Sequence, residues 1–253
     1  TGSSFTANDM GAIEATQVTN RYGDTEWTIP DAGTRQALMS DYDVAIPIDQ
    51  FDLPKLLANP QGPYQAAALA AMNRKKDAVV YAALKGSALR KTDESGAFSG
   101  VAVPAGQIIA AGGTGFTKAK IIQAKKLFRA NEADEMNGEQ LCMTYDSGML
   151  EDILSDTSLT SADYMAVKML QEGAVNGKWM GFNWVPYEQL SGTSTKTAVA
   201  YTKSAAHVGM GSNIVTDIGP RRDKRNLIQI YVPLSIGSVR VNEYKVVTID
   251  YVV

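Results

Sequence analysis

The sequence is poor in the residues that build disulfides, metal clusters and membrane spans. It has one cysteine and one histidine in 253 residues. Cys142 alone excludes an internal disulfide framework and indicates a reducing compartment. His207 alone argues against a histidine-based metal cluster and against a catalytic triad that uses histidine. No run of about 18 apolar residues occurs, so no membrane-spanning helix is predicted.

Charge of one sign is also lacking. The 27 acidic and 24 basic residues leave a net charge of −3, which predicts neither nucleic-acid nor membrane attachment by bulk attraction. The apolar fraction of 45% is typical of a globular protein with a real core. The first residue is threonine, so the sequence predicts either a processed N-terminus or a start further upstream, and no signal peptide is recognisable.

No set of residues with the chemistry of an active site is found. The segment AAGGTGFTK (110–118) resembles a phosphate loop, but Thr117 stands where the full motif needs a glycine before the lysine. The acidic residues of 132–135 lack metal-ligand spacing, and Ser147 lacks a nucleophile elbow. The sequence therefore predicts no enzyme, no catalytic residue, no cofactor and no metal.

The clearest local signal is a long helix over 60–86. Pro63 falls in its opening turn and Gly86 just past its end, which are the favoured places for these residues. Between them lie mostly good helix formers, with Lys75 and Lys76 in a charged group at mid-length. This helix is predicted to act as a structural beam.

The first fifty residues lack the helical pattern and divide into two parts. Residues 1–20 are small and polar, which predicts either an arm that lies on another surface or a frayed terminus. In 21–50, apolar residues alternate with polar ones on both sides of a turn-rich stretch at 30–33, which predicts a long hairpin. Two strands alone are marginal in water, so this hairpin must pack on the protein body or on a neighbour.

The rest of the chain alternates helices and strands. A short helical turn is predicted in 51–60, and further helices begin near Thr117, Ser147 and Ser161. The Gly-rich stretch 87–116 is a plausible domain boundary. Strands are predicted at 140–146, 178–187, 195–210, 214–218, 226–234 and 244–252. The last two are expected to pack against the long helix, whereas 90–207 reads as an α/β subdomain.

Several stretches together resemble a known family. They are WTIPDAG (27–33), YDVAIPIDQFD (42–52), the long-helix segment 59–88, GKWMGFNWVPYEQL (177–190) and the closing segment 200–251. This order of parts resembles the major capsid proteins of tailed bacteriophages with the Hong Kong 97 fold. The ending is the most telling, with Gly237, Arg240 and Glu243 in the closing strand-turn-strand.

The resemblance implies an α+β fold of Hong Kong 97 type. Its parts would be an N-terminal arm (1–20), an extended β-hairpin loop (21–50), a peripheral domain with the long spine helix (51–89 and 208–253) and an α/β axial domain (90–207). The implied function is self-assembly, through hexamers and pentamers, into an icosahedral phage head that encloses double-stranded DNA without sequence-specific binding. Portal, scaffolding and decoration proteins would be further partners, and the virion, assembled in the host cytoplasm, the location.

Three alternatives stay open: an encapsulin-like compartment shell of the same fold, an α/β enzyme and a nucleic-acid-binding module. The expected subunit contacts lie on the arm, the extended loop, the long helix and the basic run of 221–225. They are Phe5, Met10, Trp27, Ile29, Pro30, Arg35, Lys75, Lys76, Arg221, Arg222 and Arg225.

Overall fold

The structure, a computed structural model, contains three α-helices and fourteen β-strands in the part of the chain that it describes. The described residues are 2–11, 13–20, 23–25, 27–49, 61–93, 95–155 and 178–253. The helices are α1 (Gln61–Lys85), α2 (Lys118–Ala130) and α3 (Ser147–Ser155). The strands are β1 (Ser4–Met10), β2 (Ala32–Leu38), β3 (Ser40–Ile48), β4 (Ala88–Lys91), β5 (Ser99–Val101), β6 (Ile108–Ile109), β7 (Leu141–Tyr145), β8 (Lys178–Trp179), β9 (Phe182–Pro186), β10 (Thr195–Thr202), β11 (Ala206–Ser212), β12 (Asp217–Arg221), β13 (Leu227–Arg240) and β14 (Val246–Val252).

The described strands form three sheets. The first has the order β1-β2-β4-β5, and the second has the order β6-β14-β10-β7-β9-β8. In the third sheet, β13 is central and pairs along one edge with β3. Its other edge pairs with β12 at the start of the strand and with β11 at its end.

The predicted long helix is confirmed at Gln61–Lys85. Pro63 lies in the first turn, where a backbone N–H has no helical partner to lose. Gly86 ends the helix by donating its N–H to the carbonyl of Ala82 at 2.8 Å. A Cβ at this glycine would stand 2.7 Å from the same oxygen, so a side chain here would clash with the backbone.

Helix α1 joins the two main apolar cores. Ala68 and Met72 pack with the buried residues of β13, the central strand of the third sheet. About three turns further on, Tyr81 and Leu84 belong to the core of the six-stranded sheet. Because one rigid helix contributes to both cores, it fixes them relative to each other, as expected for a beam.

The six-stranded sheet carries the larger core. Residues 198–200 of β10 are fully buried, as are Val247 and Ile249 of the neighbouring β14. The apolar side of α2 covers this sheet, and its Phe128 meets Phe182 of β9 edge to face. The predicted helices after Thr117 and Ser147 are thereby confirmed as α2 and α3.

The predicted hairpin within 21–50 is wrong. Its turn was expected at 30–33, yet Gly33 lies inside β2, and no described residue of 23–31 is in a strand. The observed antiparallel pair joins β1 of the expected arm to β2. Strand β3 leaves this pair and joins the third sheet. Alternation alone predicted a strand before residue 30, but a strand also needs a hydrogen-bonding neighbour.

Two predicted long strands are divided. The stretch 178–187 turns at Met180 and Gly181, both with positive φ, and gives β8 and β9. The stretch 195–210 gives β10 and β11, which belong to different sheets. An unbroken apolar pattern does not reveal where a chain changes sheet.

The last strand also differs from its prediction. Only β13 pairs within the sheet that α1 covers, whereas β14 lies in the six-stranded sheet between β10 and β6. The expected peripheral segment 208–253 therefore supplies a strand to the sheet built from 90–207. The helices predicted in 51–60 and from Ser161 lie outside the described residues.

Candidate assembly surfaces

A long segment, residues 11–31, connects β1 to β2 and is called here the extended loop. Its described residues are exposed except for Gly11 and Pro30, which are half-buried. Its base is closed by a hydrogen bond from the N–H of Gly11 to the carbonyl of Asp31, at 2.7 Å. No described residue between them belongs to a helix or strand. The chain therefore leaves β1 and re-enters β2 at neighbouring points.

The extended loop exposes large apolar side chains. Trp27 and Ile29 are 89% and 86% exposed, and Val18 and Ile13 are also largely in solvent. None of the four is part of an apolar cluster of the described chain. Exposed apolar groups of this size in one segment are typical of a protein–protein contact.

A network of charged groups holds the base of this loop, and is called here the loop-base network. Arg35 of β2 is only 2% exposed and donates from Nε to Asp9 of β1, at 2.9 Å. The two terminal nitrogens of Arg35, Nη1 and Nη2, each donate a hydrogen bond to Glu243, and the bond from Nη2 is 2.8 Å long. Arg90 of β4 bridges Asp9, at 2.8 Å, and Asp31, at 2.9 Å. The network ties β1 and β2, the strands on either side of the loop, to the turn between β13 and β14.

Electrostatics decide the charge state of this network. Burial by itself would lower the pKa of Arg35, but the hydrogen bonds and negative charges of Glu243 and Asp9 outweigh it and hold that pKa above the ordinary value. The guanidinium is therefore a permanent cation inside the subunit. Arg35 was expected to be a subunit contact, and its side chain is instead bound to Asp9 and Glu243 of its own chain and almost fully buried.

Arg240, at the end of β13, is fully buried and links the helix end to this network. It donates to the carbonyl of Leu84 at 2.9 Å, to that of Gly86, and to that of Val101 at 2.7 Å. A cation on the last carbonyls of α1 compensates the negative end of the helix dipole. Burial lowers the pKa of this guanidinium, although Glu243 lies near it at 3.7 Å. The sequence showed no functional signal for this residue beyond its family-like context.

The two arm residues have different environments. Phe5 packs against the small cluster that contains Ala37 and Val239, and a Cβ on Gly209 would stand 2.5 Å from its ring. Phe5 is thus seated on its own subunit. Met10, at the loop end of β1, is 69% exposed and remains available to a neighbour.

The helix and turn cations are mostly exposed. The ammonium of Lys75 lies 4.4 Å from the centre of the Tyr42 ring on β3, whereas Lys76 is half-buried. In the turn 221–225, Arg221 pairs with Asp223 at 2.7 Å. Arg222 and Arg225 are exposed, like Arg221, and Pro30 of the loop is half-buried.

The Gly-rich segment 110–118 is not arranged to bind an anion. The buried ammonium of Lys120 donates to the carbonyls of Ala111, Thr114 and Gly115 at 2.8 to 3.0 Å, and to that of Asp250 at 3.0 Å. The loop thus turns acceptors toward a cation of its own chain. Burial lowers the pKa of this lysine.

The remaining sequence candidates have structural surroundings. Ser147 donates to Glu188 at 3.0 Å, burial raises the pKa of the Cys142 thiol, and His207 is an exposed residue of β11. Within the described ranges, no group of three or more histidine, cysteine or acidic side chains is placed to hold a metal. No helix in those ranges has the length and apolarity to cross a membrane.

Solved structures share this architecture. A chain of Mycobacterium phage Che8 matches with a TM-score of 0.73 and 16% identity, over 98% of this chain and 85% of that one. A chain from the capsid structure of cyanophage P-SCSP1u gives 0.68 and 14%, over 98% and 83%. One from the acidic stable capsid structure of Helicobacter pylori bacteriophage KHP30 gives 0.67 and 10%, over 99% and 85%. No curated protein matches.

These likenesses define the fold as α+β, of the Hong Kong 97 type. The model of the phage capsid protein family matches residues 1–253, and the chain belongs to that family. Its role is that of a major capsid protein, a structural component of the virion. The recognition made from the sequence is confirmed.

Proposed function

We propose that the chain assembles with copies of itself, as hexamers and pentamers, into an icosahedral head that encloses double-stranded DNA. The observation that carries this proposal is the extended loop, whose four large apolar side chains (Ile13, Val18, Trp27 and Ile29) are between 55% and 89% exposed and belong to no apolar cluster of the described residues. Burying them on neighbours couples assembly to the hydrophobic effect. The role in this proposal is structural, without catalysis and without sequence-specific contact to the packaged DNA.

The proposed division into domains follows the family resemblance, with its boundaries changed to match the observed sheets. The arm strand β1 and the extended loop reach outward, the third sheet with α1 forms the peripheral domain, and the six-stranded sheet with α2 forms the axial domain. Strand β14 belongs to the axial sheet in this division. Portal, scaffolding and decoration proteins are proposed as partners, with assembly in the host cytoplasm.

The size of the native particle tests the proposal. Megadalton hollow shells in light scattering and electron microscopy support it, and a stable monomer under all assembly conditions refutes it. The nucleic-acid content of purified particles separates a phage head from an encapsulin-like shell, which would hold protein cargo. No observation on this structure favours the encapsulin-like alternative.

Removing the loop tests the observation itself. Since Gly11 and Asp31 are already hydrogen-bonded, a two-residue Asn-Gly turn can replace residues 12–30 and leave β1 and β2 paired. We expect this variant to fold with an unchanged melting temperature and to form few shells. A deletion of 24–38 would instead remove β2 and the buried Arg35, so a failure of that variant to assemble would not distinguish a folding defect from an assembly defect.

A further inference from the structure

Helix α2 has a groove on its exposed side, next to the turn between β8 and β9, and it is called here the α2 groove. Its volume is about 400 Å³, and no acidic residue of the described chain lines it. The lining consists of three apolar and three basic side chains: Ile121, Ile122, Met180, Lys125, Lys126 and Arg129. Ile121 is fully buried, whereas Ile122 beside it is 52% exposed. The α2 groove is therefore apolar inside and positively charged at its rim.

The turn between β8 and β9 forms one wall of the α2 groove. Met180 in this turn has a φ of 50°, a left-handed conformation that is unfavourable for a residue with a side chain. Gly181 follows, and a Cβ there would stand 2.7 Å from the ammonium of Lys125 and 2.9 Å from the carboxylate of Glu135. The ion pair of Lys125 and Glu135 thus packs directly against the backbone of the turn. The wall that carries Met180 is therefore fixed to α2 by close contacts.

The surface around this groove carries more positive charge than the described chain neutralises. Helix α2 contains basic residues and no acidic one. Lys125 and Arg129 are each paired with a carboxylate of the segment that follows the helix. Lys118 and Lys126 are exposed and form no ion pair within the described ranges. Two cations therefore remain available to an acidic partner.

The two available cations and the exposed isoleucine form a row on the surface of α2. Lys118, Ile122 and Lys126 follow one another at intervals of four residues, so they share one face of the helix. Neighbouring members of the row are about 6 Å apart along the helix axis. This face thus presents a cation, an apolar side chain at the groove, and a second cation, in that order.

Charge and spacing together favour an acidic helix as the occupant of the α2 groove. A helix with an acidic, a large apolar and a second acidic residue at four-residue intervals places a carboxylate at each ammonium and its apolar side chain in the groove. Duplex DNA would contact the cations through its phosphates and leave the apolar groove unfilled. The acidic segment after α2 does not supply the partner from a second copy, because Asp134 and Glu135 are already paired within their own subunit.

We propose that the α2 groove binds an acidic amphipathic helix of a second protein, with the apolar side chain of that helix on Ile122 and its carboxylates at Lys118 and Lys126. This inference goes beyond the proposed function. The free subunit carries the complete groove, and binding there needs neither the extended loop nor a shell.

Binding of a designed peptide to the free subunit tests this inference. The probe is a fluorescein-labelled peptide of about 16 residues, a length at which an isolated helix begins to be stable in water. It carries Glu, Leu and Glu at four-residue intervals on one face, with Ala and Gln elsewhere, and its binding is measured by fluorescence anisotropy. We expect saturable binding that weakens as salt is raised, because salt screens the ion pairs. A peptide with Ala in place of the Leu should bind about tenfold more weakly, because it leaves the groove unfilled.

Variants of the subunit assign the binding to the groove. Ile122→Ser removes the apolar contact and is expected to weaken binding about tenfold. Lys126→Glu reverses one cation and is expected to weaken it about fivefold. The matched controls are Ile108→Ser, in β6 at the opposite edge of the same sheet, and Lys224→Glu, in the exposed turn 221–225. Both controls should bind the peptide like the wild type, and all four variants should keep the melting temperature, because each changed side chain is exposed.

Three results would overturn the inference. The first is the absence of saturable peptide binding to the wild type. The second is binding that Ile122→Ser and Lys126→Glu leave unchanged, which would place the peptide elsewhere. The third comes from a short duplex DNA titrated in parallel: tighter binding than the peptide, weakened by Lys126→Glu, would assign the cations to DNA. Shell formation is scored separately on the wild type, and its failure would refute the proposed function while peptide binding in the groove still stands.

Discussion

Replacing Arg35 with methionine is the sharpest test of how the extended loop is held. The change keeps an unbranched side chain of similar reach and removes the charge that joins Asp9 to Glu243. Those two carboxylates are 8% and 13% exposed, so they cannot regain full solvation. Breaking a buried ion pair by removing one partner costs about 3–5 kcal/mol.

The remaining contacts place the expected loss at the lower end of that range. Asp9 keeps Arg90 at 2.8 Å and Glu243 keeps Arg240 at 3.7 Å, so neither carboxylate becomes an isolated charge. We expect a loss of about 3 kcal/mol in the free energy of unfolding. For a chain of this size, that lowers the melting temperature by roughly 6–12 °C.

Thermal unfolding of the free subunit, followed by circular dichroism, measures this shift. The matched control is Arg221→Met, which breaks the exposed pair with Asp223 and is expected to leave the melting temperature unchanged. The double variant Arg35→Met, Asp9→Asn is expected to lose less than the sum of the single changes, because it removes a stranded charge. An Arg35→Met subunit that melts like the wild type would refute the reasoning.

Two further predictions concern the six-stranded sheet. Gly192 has a φ of 112°, and a Cβ there would stand 1.8 Å from the carbonyl oxygen of Thr195. Gly192→Ala is therefore expected to lower the melting temperature clearly. An unchanged melting temperature would contradict this backbone geometry. Asp146 is buried and pairs with Lys196 at 2.7 Å. Burial by itself would raise the pKa of Asp146. The hydrogen bonds from Lys196 and from the N–H of Met149 outweigh burial and hold this pKa below the ordinary value of 3.8. A depressed pKa stabilises the fold above the unfolded value and loses that stabilisation as pH falls through the folded value. The difference in melting temperature between wild type and Asp146→Asn should therefore shrink as pH falls from neutral to below 3.8, and a constant difference would count against the ion pair.

Local chemistry in the sequence determined the bounds of the long helix. Pro63 and Gly86 set its ends, because a proline suits the first turn and the terminal glycine leaves room for the Ala82 carbonyl. The apolar side of α2 and the β-branched pattern of β14 were likewise readable. Each of these signals acts between residues close in sequence, and needs no distant partner.

Tertiary structure alone decided where charges are buried. Arg35 looked like an exposed contact, and its partners Asp9 and Glu243 are 26 and 208 residues away. A buried guanidinium is tolerated only where hydrogen-bond acceptors from distant segments are already in place, so no local sequence pattern can predict it. The same holds for Arg240, whose acceptors are carbonyls of Leu84, Gly86 and Val101.

Tertiary structure also decided which strands are neighbours and which apolar groups remain exposed. The sequence identified apolar residues around position 27 and predicted a strand, but pairing joined β1 to β2 and left the segment between them as an extended loop. Burial depends on what lies opposite, and the chain between Gly11 and Asp31 has no opposing strand on its own subunit among the described residues. The sequence by itself thus determined the family, the fold class and the spine helix. Only the packing of distant segments decided which surfaces are left for a neighbour.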